Sequence, residues 1–158
     1  MMPRKIELEK IRVPEWAERV FANENELKDL ANSIEAHGLI EPIVVRLTSD
    51  GHYELISGYR RLQALKVLNA KEVEAKVVEC TDEEAVALSI EENEKRAEEH
   101  PFDVARKVAY LHEKLRLSVR KIAKLLGKEK SWVNMMLKIN AIDEEAKKVL
   151  GPKVRDFT

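Results

Sequence analysis

Short β-branched runs alternate with amphipathic helical stripes along the first hundred residues of this sequence, and after Pro101 only the helical period remains. That switch restricts the chain to an α+β unit followed by an all-α unit. With 158 residues to share, each is small. Glu26 to His37 puts Leu27, Leu30, Ala31 and Ile34 on one stripe, and Gly38 is predicted to cap it in a left-handed conformation, with Leu39 and Ile40 folding back. Pro42 stops the helix. Ile43 to Leu47 and Tyr53 to Ser57 read as two strands of a hairpin turning at Ser49-Asp50-Gly51. A helix striped by Leu62, Leu65 and Leu68, a strand from Val73 to Val78 and a helix from Asp82 to about Asn93 complete the first part. The composition shift at Glu98-Glu99-His100-Pro101 sets the expected domains at 1–98 and 99–158. Beyond it, four helices are expected: one with Val104, Val108, Leu111 and Leu115 on its apolar face, then Val119 to Leu126, Ser131 to about Ile139 and Asp143 to Leu150.

Charge divides along the same line. Residues 1–103 hold 14 Lys+Arg against 23 Asp+Glu, a net of −9, and residues 104–158 hold 14 against 6, a net of +8. A basic helical segment beside an acidic one suits a polyanion, because each cation near a phosphate releases condensed counterions. Nucleic acid is the leading candidate, and charged helices that only solubilise the protein are the alternative. No apolar run approaches the ~18 residues of a membrane span, and Met1-Met2-Pro3-Arg4-Lys5 lacks the apolar stretch of a signal peptide, so a soluble cytoplasmic protein is expected. Cys80 is the only cysteine, which excludes an intramolecular disulfide and a cysteine-rich zinc site.

The segment from Val119 to Lys138 has helix-turn-helix spacing: small Ala123 where two helices cross, Gly127 where the chain leaves its helix with positive φ, and Val133 six residues on. Ile122, Leu126 and Met136 complete its buried side. The outward face is then Lys130, Ser131, Trp132, Asn134, Met135 and Lys138, with Arg120 and Lys128 alongside. Asn and Ser can hydrogen-bond base edges while the cations meet phosphates of double-stranded DNA. A helix pair that packs and touches nothing is the competing reading.

A second constellation, Ser57-Gly58-Tyr59-Arg60-Arg61, sits between a strand and a helix. Such a junction suits an anion, since helix amides point at it and two guanidinium groups supply charge and forked donors. Surface ion pairs are the bland account of the arginines. A third, Glu91-Glu92-Asn93-Glu94-Lys95-Arg96, offers carboxylate and amide oxygens to a hard cation such as Mg²⁺ that also holds phosphate, or is a solvated acidic helix end. His37, His52, His100 and His112 lie in different elements and read as solvent-facing or capping residues, and Cys80 reads as core.

Together these pieces resemble the ParB family of DNA-partition proteins across about Ile6 to Leu150. Ser33-Ile34 with Gly38-Leu39-Ile40-Glu41-Pro42-Ile43-Val44-Val45 looks like its first box, Gly58-Tyr59-Arg60-Arg61-Leu62-Gln63-Ala64 like its second and Glu92-Asn93-Glu94-Lys95-Arg96 like its third. The resemblance implies a ParB/sulfiredoxin-like α+β domain followed by a helix-turn-helix domain. It implies CTP and Mg²⁺ as ligands, with Glu41, Gly58, Tyr59, Arg60, Arg61, Asn93 and Arg96 around the nucleotide, Glu92 and Asn93 at the metal, and Glu92 near the hydrolytic chemistry. It further implies chromosome or plasmid partition on the nucleoid or plasmid, a homodimer in the nucleotide-bound state and a ParA-type ATPase partner.

Glu41 stands where the family usually has Gln, and Tyr59 where it usually has Glu, so CTP hydrolysis is expected to be weak or lost. The chain stops after its fourth C-terminal helix, without the further DNA-binding helices, terminal dimerisation domain and long basic N-terminal arm of full-length members, as in a short member or a fragment. Rival readings are a transcriptional regulator without nucleotide turnover and a small-molecule kinase on the same fold. A sulfiredoxin-like reductase is disfavoured, because it needs a reactive cysteine where Tyr59 stands.

Overall fold

The computed structural model describes residues 3–18, 24–39, 41–96, 99–142 and 149, apart from the side chains of 24, 25 and 96. Two compact units meet between Thr81 and Asp82. This division falls earlier than the one read from composition, because the helix that follows Thr81 packs on later helices.

The first unit is α+β. Five strands, β1 (Arg4–Glu7), β2 (Ile11–Arg12), β3 (Ile43–Leu47), β4 (Tyr53–Ser57) and β5 (Glu72–Val78), form one sheet in the order β1-β5-β3-β4-β2. β3 and β4 make the expected antiparallel hairpin, β5 runs parallel to β3 with Ala75 opposite Ile43, β1 is antiparallel to β5, and β2 is parallel to β4. The central position of β3 explains its buried run Ile43-Val44-Val45, whereas β5 alternates, with Val73 and Ala75 turned inward. Helices α1 (Glu24–His37) and α2 (Tyr59–Val67) pack on each other, and Ile34, Leu62 and Leu65 join Ile43, Val45 and Leu55 in the core. Each such leucine contributes roughly 1.5–3 kcal/mol by leaving water. Gly38 is left-handed at φ +79° and donates to the Ile34 carbonyl at 2.7 Å, as expected of a cap, while Ile40 lies outside the described residues.

Sequence periodicity missed both β1 and β2. Arg4-Lys5-Ile6-Glu7 buries only Ile6, and β2 is two residues long. Short charged edge strands carry almost no local signal; pairing of Ile6 with Val73 and of Ile11 with Tyr53 creates them.

The second unit is helical: α3 (Asp82–Arg96), α4 (Pro101–Glu113), α5 (Val119–Leu126) and α6 (Lys130–Asn140). Pro101 opens α4, and His100 caps it by accepting the Phe102 amide on Nδ1 at 3.0 Å. His112 Nδ1 lies 2.8 Å from the carbonyl of Leu117 in the connection between α4 and α5. α4 packs on α5 and α6 through a core that includes Val108, Leu111, Ile122, Val133, Met136 and Ile139. Val104, Leu115 and Leu126, expected inside, are half-buried. The predicted helix from Asp143 to Leu150 lies outside the described residues except at Val149. Cys80, expected in the core, is also half-buried, and its carbonyl accepts from Arg46 Nη1 at 3.2 Å.

One feature of this unit was not legible in the chain. Lys107 is 1% exposed, donates to Ser89 Oγ at 2.7 Å, and meets the Glu99 carboxylate at 2.6 Å as an ion pair without the alignment of a hydrogen bond. A buried ammonium must be paired, so α3 and α4 are locked in one register here.

Candidate functional site

In the first unit the strand-to-helix junction is built around Gly58, which is buried with φ +108°. A Cβ there would stand 2.6 Å from Ile43 Cγ2, so packing of α2 against β3 already requires glycine. The N-cap position of α2 is Gly58, which has no side chain to cap it, and the two arginines stand in the helix's first turn. Their roles differ. Arg60 Nη2 pairs with Glu26 Oε2 of α1 at 2.9 Å, and its Nε is buried without a hydrogen-bond partner among the described residues. Arg61 Nη1 instead donates to the carbonyls of Glu41 and Pro42, both at 3.0 Å, tying α2 to the loop before β3. Thus Glu41 and Arg61 are brought together through the Glu41 backbone, with the Glu41 residue exposed. Tyr59 is half-buried and packs against the sheet core.

In the second unit, Glu92 and Asn93 lie near the end of α3, the first half-buried and the second 4% exposed. Asn93 Nδ2 donates to the Ser89 carbonyl at 2.9 Å one turn earlier. Arg96 ends the helix, and its side chain lies outside the described residues.

The segment from Val119 to Lys138 folds as two helices around a left-handed Gly127 at φ +65°. Ser118 caps α5 by accepting the Lys121 amide at 3.1 Å, and a serine just before an apolar stripe is the sequence signal for such a helix start. The expected sidedness of α6 is present: Val133, Met136 and Ile139 are buried, Lys130, Ser131, Asn134 and Lys138 exposed, Met135 half-buried. Arg120 of α5 is also exposed. Trp132 is half-buried with its Nε1 enclosed and unbonded among the described residues. Lys128 is not free: its Nζ is 2.9 Å from Glu94 Oε1 and 5.2 Å from the centre of the Trp132 ring. Neither Glu26 nor Glu94 stands at a local spacing from its cationic partner, so sequence reasoning had no means of finding these pairs.

The ParB N-terminal domain model matches residues 2–94. The chain belongs to that family. Among its relatives, a nucleoid occlusion protein of Geobacillus sp. (strain WCH70) is 33% identical over 147 residues, covering 93% of this chain and 52% of the relative. Two solved structures of C-terminally truncated chromosome-partitioning protein ParB from Caulobacter crescentus align over most of the chain. The complex with CTP-gamma-S is 30% identical with a TM-score of 0.55, covering 94% of this chain and 83% of that one. The complex with the centromeric parS site is 28% identical with a TM-score of 0.56, covering 95% and 78%. The chain spans about half the length of the curated relatives it matches.

Within this ParB-family fold, the chemistry of the donors can be tested against a nucleotide and its metal. The enclosed Arg60 Nε, unbonded among the described residues, fits an anionic group. Among the described residues no cluster of three or more His, Cys, Asp or Glu could hold a metal ion alone. Glu92 and Asn93 would offer Mg²⁺ at most one carboxylate and one amide oxygen, so the rest of its shell would have to come from other ligands. No helix of the described residues is long and apolar enough to cross a membrane.

Proposed function

We propose that this chain is a nucleotide-responsive, DNA-binding protein of the partition type, acting in the cytoplasm on the nucleoid or a plasmid. The sidedness of α6 carries the reading: three apolar residues hold the helix on α4 and α5 while Lys130, Ser131, Asn134 and Lys138 face solvent with Arg120 nearby in the sequence. A helix-turn-helix domain over 99–158 would insert that face in the major groove, with Ser131, Asn134 and Met135 at base edges and Arg120, Lys128, Lys130 and Lys138 at phosphates. Likeness to a ParB solved with parS supports this.

The domain over 1–98 would bind CTP through Glu41, Gly58, Tyr59, Arg60, Arg61, Asn93 and Arg96, supported by likeness to a ParB solved with CTP-gamma-S and by the unbonded Arg60 Nε. Bound Mg²⁺ would supply charge neutralisation of the phosphates. For this chain's part, Arg60 binds phosphate, Arg61 orients the Glu41-Pro42 loop, and Glu92 with Asn93 holds the ion, with Glu92 the candidate to orient a hydrolytic water. A homodimer in the nucleotide-bound state and a ParA-type ATPase partner belong to the same proposal.

Calorimetric titration with CTP, ATP and GTP, with and without duplex DNA and Mg²⁺, tests it. Saturable, Mg²⁺-dependent heat with CTP is expected. Absence of heat with any nucleotide removes the nucleotide half, and absence of salt-dependent duplex binding removes the other.

A further inference from the structure

Lys128 is the first residue after the left-handed turn at Gly127, and its amide is bonded to the Ala123 carbonyl at 2.9 Å, so the turn itself fixes where its side chain starts. Two residues later α6 begins, and its N-cap Glu129 makes no side-chain capping bond, which leaves the first amides of an eleven-residue helix open. An ammonium beside open helix amides is a good place for a backbone phosphate. That ammonium, however, already has an anion: Glu94 Oε1 at 2.9 Å, with the Trp132 ring on another side. The pair is only part-solvated, the Lys128 and Glu94 side chains being 28% and 40% exposed. It is therefore firmer than Lys95–Glu91 on the same helix, which is 3.8 Å apart with both side chains 65% exposed. It is still no buried ion pair, so a phosphate can displace it.

We propose that Glu94 is an internal competitor for the phosphate that Lys128 would otherwise hold, so the basic face meets duplex DNA with one of its cations occupied. The inference rests on the DNA-binding reading above and adds a regulator to that surface. A phosphate and the Glu94 carboxylate cannot share one ammonium without repelling each other, so DNA contact at Lys128 requires Glu94 to let go. The contact weakens general affinity for duplex and makes it less steeply dependent on salt.

The test is fluorescence anisotropy of a labelled duplex against the full chain, titrated with NaCl between about 50 and 200 mM. Glu94→Gln removes the competing charge with little change of shape. It is expected to tighten duplex binding about two- to fivefold at the low-salt end, and to steepen the log–log salt slope by about one unit. Glu91→Gln makes the same change in net charge on the same helix away from Lys128 and is expected to leave the slope unaltered. In a Lys128→Met background, Glu94→Gln is expected to gain nothing. If Glu94→Gln matches wild type or Glu91→Gln, or if its gain survives loss of Lys128, the competition is refuted while the DNA-binding reading stands. If neither wild type nor Glu94→Gln binds duplex at all, the reading and the inference fall together. Glu94→Ala repeats the test with a different side chain, and coincident melting curves confirm that each variant is folded.

Discussion

Glu26 of α1 holds Arg60 of α2 at 2.9 Å, while the adjacent Arg61 turns away to the Glu41 and Pro42 carbonyls. Two neighbouring arginines that look equivalent in the sequence thus take different work, one paired with a carboxylate of α1, the other tying α2 to the loop before β3.

Arg60→Ala is expected to abolish nucleotide binding and leave nonspecific DNA affinity nearly intact, as read by calorimetry and anisotropy on the same preparation. Glu26→Gln releases the same guanidinium from its carboxylate and should tighten nucleotide binding about two- to fivefold, the scale of an exposed ion pair. Equal loss of DNA and nucleotide affinity in Arg60→Ala would contradict separate sites.

Arg61→Lys keeps the charge but removes the guanidinium Nη1 that donates to two carbonyls at 3.0 Å and puts a shorter side chain in its place. Urea unfolding should show a loss of about 1.5–3 kcal/mol, the range for hydrogen bonds to a charged group. An unchanged midpoint would mean the loop is held by other contacts.

Gly58→Ala combines a left-handed φ of +108° with a 2.6 Å approach to Ile43. Strain and overpacking together should cost about 3 kcal/mol, visible as a lower thermal midpoint without any ligand present. A midpoint within a degree or so of wild type would show that β3 yields at no cost.

Lys107→Met leaves Glu99 buried without its cation, at a cost of about 3–5 kcal/mol by breaking one half of a buried pair. Lys107→Met with Glu99→Leu should recover most of that loss, since two apolar side chains need no partner. Denaturant midpoints decide it, and a double variant as unstable as the single would show that shape rather than charge matters there.

Lys130→Ala should weaken duplex binding and flatten the log–log salt dependence by about one unit. An unaltered slope removes this lysine from the phosphate contacts.

Local pattern was enough wherever a residue's neighbours in the chain determine its environment. The strands Ile43–Leu47 and Tyr53–Ser57, the left-handed Gly38 and Gly127, and the buried and exposed sides of α6 were all legible, because period, turn chemistry and capping act over a few residues. Membership of the ParB family was legible too, and the family model matches residues 2–94. The edge strands β1 and β2 exist only through partners far along the chain. The assignment of α3 to the helical unit, the Lys107–Glu99 pair, and the partners of Arg60, Arg61 and Lys128 were likewise decided by tertiary packing. A side chain's ionic partner depends on which distant carboxylate or carbonyl the fold brings within about 3–4 Å, and no periodicity in the chain encodes that distance.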